Sequence, residues 1–233
     1  MFKPAIGLAC LAILAGCAGK PGSEYVPVPP SKIEPVTVKS GDEAVLFPAK
    51  VGDEWVYEIE NAIQRNGRVA QGQGFINLKV VKVETVGDGK RITLDLSSKG
   101  RVQDRQVWLL NNKGLYQVSL GLKGERTFSP PLIAIQFPVE AGKKFSWSGK
   151  SGKSDMAVNA VIVGAAEVDT AEKRMSAIQV DSKYTIRTGK SFERTERSVW
   201  FEPGIGIVRI KETSTRTGGA ADLTLTLAKH NFK

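Results

Sequence analysis

The sequence predicts an all-β protein whose antiparallel strands form a barrel-like or sandwich body. Three observations carry this. Apolar and polar residues alternate at period two through most of the chain. Turn signals rich in Gly, Asn and Asp separate the alternating runs. Only Thr170–Met175 fits a helical turn. Composition agrees: 233 residues, 41% hydrophobic and 24% charged, is ordinary for a folded body and too apolar for a wholly disordered chain. No run reaches the ~18 apolar residues of a spanning helix, which excludes a multi-pass helical membrane protein.

The amino-terminal residues set the compartment. Lys3 supplies a short positive region, and Ala5–Leu14 is an apolar run of signal-peptide length. Leu14-Ala15-Gly16-Cys17 then resembles the lipobox of bacterial lipoproteins. That resemblance implies removal of residues 1–16 and makes Cys17 the lipid-attachment residue of the mature chain. Each buried methylene contributes roughly 0.8 kcal/mol, so two or three acyl chains hold firmly where one holds reversibly. Cys10 would leave with the signal peptide, so the mature chain would have no free thiol and no internal disulfide. Ala18, in the place where Asp marks inner-membrane retention, implies a cell-envelope protein on the outer membrane, facing the periplasm.

Residues 17–45 read as a tether. Pro21, Pro27, Pro29, Pro30 and Pro35 crowd this stretch, and polyproline II geometry at ~3.1 Å per residue gives a reach of roughly 80 Å. Beyond it the strands begin. Trp55, Tyr57, Ile59 and Ile63 alternate with Glu58, Glu60 and Ala62. Ile92, Leu94 and Leu96 alternate with Arg91, Thr93 and Asp95, and Leu223, Leu225 and Leu227 with Thr224 and Thr226. Gly87-Asp88-Gly89 and Asn111–Gly114 have hairpin-turn composition. The phase changes at Val80-Val81, which predicts a bulge or a strand covered on both faces.

The body also resembles itself. Phe47-Pro48, Gly52, Trp55 and Tyr57 match Phe137-Pro138, Gly142, Phe145 and Trp147. Arg105, Val107, Trp108, Leu109 and Gly114 match Arg197, Val199, Trp200, Phe201 and Gly206. The spacing predicts two similar β repeats, residues 46–135 and 136–233, with like burial of Trp55 and Phe145, Tyr57 and Trp147, and Trp108 and Trp200. The Phe-Pro, Gly, aromatic opening and the Glu202–Val208 segment resemble uncharacterised β-rich envelope lipoproteins, a likeness that names no activity.

Raw material for catalysis is thin. The single His, His230, lies near the carboxyl terminus, no metal-ligand spacing occurs, and neither a cofactor nor a catalytic set is expected. Gly149–Ser154 superficially resembles a phosphate loop but has Trp147 where that motif needs Gly, so it reads as a basic hairpin. Charge is the stronger lead, at +9. Lys143, Lys144, Lys150 and Lys153 group around one loop, and Arg187, Lys190, Arg194 and Arg197 around another. In an envelope protein these suit anionic lipid, lipopolysaccharide or a cell-wall polymer rather than nucleic acid.

One stretch joins the repeats with little charge: Phe128, Leu132, Ile133, Ile135 and Phe137 could form a buried crossover or an apolar lip to a cavity. The function expected is a non-catalytic, lipid-anchored binding or scaffolding protein, its membrane partner reached through the anchor and any protein partner unnamed. The alternatives are a carrier of an apolar ligand in a half-barrel and a carboxylate-dependent hydrolase. A filled interior favours the first, an enclosed apolar cavity the second, and converging buried carboxylates the third.

Overall fold

The computed structural model describes residues 46–231, so the signal peptide, Cys17 and the tether lie outside the described residues. Period-two alternation produces twelve strands. They are β1 (Glu54–Arg65), β2 (Arg68–Val86), β3 (Gly89–Ser98), β4 (Arg101–Asn111), β5 (Gly114–Leu120) and β6 (Arg126–Gln136), then β7 (Lys144–Ser151), β8 (Ser154–Asp169), β9 (Arg174–Thr188), β10 (Ser191–Glu202), β11 (Gly206–Arg216) and β12 (Gly219–His230). Each pairs antiparallel with its neighbours in the chain, and β1 pairs with β12, closing one barrel. The sheet is thus closed, not a sandwich and not a half-barrel. Thr170 and Lys173 form the tight turn between β8 and β9, where the sequence had suggested a helical turn.

Along β1 to β3 apolar side chains point inward and charged ones outward. Tyr57, Ile59, Ile76, Leu78, Ile92 and Leu94 are buried, while Glu58, Glu60, Lys79 and Arg91 between them are exposed. This is the reverse of a transmembrane barrel, whose apolar face meets lipid. The expected anomaly in β2 is a bulge, with the register against β3 shifting between Val80 and Lys82.

The barrel has two unlike ends. At the end where the chain enters, the β10–β11 turn dips inward: the Trp55 indole donates to the Ile205 carbonyl at 2.7 Å and the Tyr57 hydroxyl to that of Ile207 at 2.8 Å. Phe47 lies within this closure, stacked 5.7 Å from Trp55 and 6.1 Å from Trp108. A Cβ on Gly206, whose φ is +97°, would approach the Phe47 ring to 3.3 Å, so the turn and the plug require glycine together.

The β6–β7 seam differs from the others. Its ladder holds two pairs, Phe128 with Ser151 and Ser129 with Lys150, because Pro130 and Pro131 cannot donate. Side chains take over: the Trp147 indole donates to the Pro131 carbonyl at 3.0 Å, and Phe128 meets Trp147 edge-on at 6.4 Å.

The matched sequence segments fall on strands six apart, Trp55 and Tyr57 on β1, Phe145 and Trp147 on β7. The turns before them share a hydrogen-bond pattern. Gly52 N–H donates to the Val80 carbonyl and Val80 N–H to that of Asp53; Gly142 N–H donates to the Ile162 carbonyl and Ile162 N–H to that of Lys143. Val80 and Ile162 both flank bulges. Like burial holds for Tyr57 and Trp147, whereas Trp55 is buried and Phe145 half-buried. At the later match, Trp108 lines the interior, but Trp200 lies between the cavity-lining Val199 and Phe201, and its half-buried ring packs beside the core under Arg209. That second match is out of phase by one residue.

Truncating Phe47 or Trp108 to Ala should cost about 3–5 kcal/mol each. Trp200→Ala should cost clearly less, because that ring is only half-buried. Chemical denaturation of the three variants measures the order.

Candidate functional site

The interior is mostly filled. Among the described residues a partly open cavity of about 90 Å³ lies within the barrel, walled by apolar groups including Tyr57, Leu78, Leu94, Trp108 and Phe201, with Arg197 also on its wall. An engineered apolar cavity of about 150 Å³ holds benzene, so this space suits a few waters or methylenes and not an acyl chain.

Above the cavity, toward the end opposite Phe47, β10 and β11 place polar side chains on inward positions. Their register opposes Arg197 with Glu212, Thr195 with Ser214, and Glu193 with Arg216, with Ser182 and Tyr184 of β9 alongside. The Thr195 and Ser214 hydroxyls are 2.8 Å apart. Arg197 Nε lies 2.9 Å from Glu212 Oε2, yet neither atom finds an aligned hydrogen-bond partner. The guanidinium also sits 5.9 Å from the Tyr184 ring centre. This column was not anticipated from the sequence. The available signal was phase: Arg197 shares alternation with Val199 and Phe201, and Glu212 with Ile210.

Burial pushes the Glu212 carboxyl upward, against the pull of Arg197. Glu193 is also raised, first by burial, with Arg216 opposing and Glu212 adding repulsion. Two carboxylates do therefore approach one another, but each faces an arginine across the ladder. An arrangement of this kind fixes strand register and neutralises buried charge. Among the described residues no three His, Cys, Asp or Glu side chains gather as a metal site.

The sequence-predicted residues distribute as follows. Lys150 and Lys153 belong to the β7–β8 hairpin, and Arg187, Lys190 and Arg194 to the adjacent β9–β10 hairpin; Ser154 and Thr188 hydroxyls join the two at 2.6 Å. These five cations come together. Lys143 and Lys144 lie at the other end of β7, where the Lys143 ammonium donates to the Phe137 and Pro138 carbonyls. Arg197 is no surface contact: its side chain is 13% exposed and turned inward, because its phase is that of Phe201. Of the apolar stretch, Phe128, Leu132, Ile135 and Phe137 are buried and Ile133 is half-buried; they pack along β6 and the β6–β7 seam, and none lines the cavity.

No family model matches the chain, and no curated protein is significantly similar to it. Among solved structures, it is similar to a candidate exported protein with YmcC-like fold from Bacteroides fragilis NCTC 9343, at 12% identity and TM-score 0.48 over 81% of this chain and 99% of that one. It is similar also to a candidate lipoprotein from Parabacteroides distasonis ATCC 8503, at 14% identity and TM-score 0.49 over 80% and 98% of the two chains. The hypothetical lipoprotein YmcC from Escherichia coli K12 matches at 8% identity and TM-score 0.32, over 81% and 96%. These likenesses are too distant to carry a residue, ligand or activity across.

Arg197→Met alone should destabilise the barrel by about 3–5 kcal/mol, since it strands a buried carboxylate, whereas Arg197→Met with Glu212→Leu should be near neutral or stabilising. A denaturation double-mutant cycle reads the difference.

Glu193 and Glu212 also give stability an unusual pH slope. Their folded values lie above the unfolded ones, so the folded chain binds protons first, and their contribution grows as pH falls through that window and shrinks toward neutrality. Thermal unfolding should therefore show a gain as pH falls from neutrality toward the ordinary carboxylate range, and that gain should be smaller in Glu212→Gln.

Proposed function

We propose that this chain is a non-catalytic, lipid-anchored protein of the bacterial cell envelope that binds or scaffolds through its outer surface. The lipobox at Leu14–Cys17 supports the anchor, and Ala18 supports an outer-membrane address facing the periplasm. In this reading residues 17–45 are the tether and the barrel is the working body, built from two six-stranded halves.

The observation that carries the surface role is the filled interior. Phe47, Trp55 and the β10–β11 turn close one end, the polar column pairs its charges internally, and the cavity between them measures about 90 Å³. A carrier of a whole acyl chain would have to open the barrel. The short β6–β7 ladder is the place where such opening costs least, and it keeps the carrier as the second reading. Organic extraction of the purified protein separates the two: stoichiometric lipid in the extract beyond the anchor itself supports a carrier, and its absence supports a surface role.

Cys17→Ala should abolish incorporation of labelled palmitate and release the protein from membranes on cell fractionation. Unchanged labelling and retention would contradict the anchor.

A further inference from the structure

In an up-and-down barrel the alternate hairpins share one end. The β1–β2, β3–β4, β5–β6, β7–β8, β9–β10 and β11–β12 turns all lie opposite the Phe47 closure. Every one of them presents an exposed cation: Arg68, Lys99, Lys123, Lys153, Lys190 and Arg216, in chain order. Their exposed acids are Glu125, Asp155 and Asp222, the second 3.5 Å from Lys150, and half-buried Glu193 faces Arg216 across the ladder, which leaves the cations in excess. At the other end signs are mixed, with Asp88 beside Lys90, Glu140 beside Lys143, and Asp169 bonded to Arg174 at 2.8 Å. The net charge of the protein is thus concentrated on one rim.

Apolar tips interleave with these cations. Val69 is 60% exposed, Leu122 48%, Val102 43% and Phe192 37%, and each stands within a residue or two of a rim cation on a different hairpin. Arg194 stacks over the Phe192 ring at 5.3 Å, placing charge and hydrocarbon in one projection.

We infer that this rim is a docking surface for an anionic phospholipid bilayer. Cations alone would suit any polyanion. The four apolar tips decide for a bilayer, because only a bilayer offers hydrocarbon beneath its anionic headgroups. The inference rests on the reading of the barrel as a surface-acting body. It gives the protein a second membrane contact, the rim, besides the acyl anchor. Neither contact requires the interior.

The test uses the full lipidated protein held in phosphatidylcholine nanodiscs and floated with vesicles of phosphatidylcholine alone or mixed with phosphatidylglycerol. Capture by the mixed vesicles only is expected, and it should fade as salt rises and the Debye length shrinks below about 10 Å. Lys123→Gln, Lys153→Gln and Lys190→Gln should each weaken capture about fivefold, the equivalent of ~1 kcal/mol per cation at such a surface. Leu122→Ser with Phe192→Ser should weaken it further at constant charge, with thermal unfolding unchanged. Equal capture by both vesicle types, or no capture by either, overturns the proposal. So does cation-dependent capture that ignores the Leu122 and Phe192 changes and is abolished by a soluble anionic polysaccharide, which would assign the rim to a polymer. A chain that fails to enter the nanodiscs contradicts the anchor at Cys17 instead, and the same flotation on the free chain still reads the rim.

Discussion

Twelve strands closed in a ring enclose more cross-section than inward side chains fill on their own; about eight is the number at which side chains alone suffice. The contact that meets this constraint is the Phe47 stack on Trp55 and Trp108. Phe47 comes from outside the sheet, Trp55 from β1 and Trp108 from β4, so one cluster ties the incoming chain to distant parts of the ring. Trp55 and Tyr57 then hold the β10–β11 turn inside through its carbonyls. Burial raises the Tyr57 hydroxyl well above its usual range, so it remains a donor wherever the barrel stays folded. Closing one end this way lets the opposite end vary, and that end is where the cations stand.

Charge is sorted by position. Inside, Arg197 and Glu212 neutralise one another where solvent cannot. On the outer wall, ladder pairs such as Arg105 with Asp95, joined at 2.6 Å, balance locally and are worth little to stability. Among the described residues the rim hairpins carry more cations than acids. Mutual repulsion among them is tolerable because their side chains are solvated, and it is relieved by any anionic surface that meets them. The same electrostatics that would be wasteful in a core is useful at an edge that contacts a partner.

Much of the architecture was legible from the residues. Period-two alternation marks β1, β3 and β12, the Gly87–Gly89 and Asn111–Gly114 turns join β2 to β3 and β4 to β5, and the Val80-Val81 phase break is a bulge. Closure was not legible, since alternation reports which face a residue takes and not which strands meet; β1 and β12 pair across the whole chain. Arg197 was misplaced because proximity to Lys190 and Arg194 in sequence outweighed its phase. Trp108 and Trp200 do not take like positions for a different reason, since one bulge reverses the face a side chain takes. Lys143 and Lys150 were grouped by nearness along the chain, although β7 carries them to opposite ends.

Hydrogen exchange on the anchored protein, with and without anionic vesicles, tests most directly whether the working surface is the rim or the interior. Added protection should be confined to the hairpins around residues 65–68, 98–101, 120–126, 151–154, 188–191 and 216–219. Protection centred instead on the cavity-lining stretches of β1, β4 and β10, or on the turns at the Phe47 end, would contradict it.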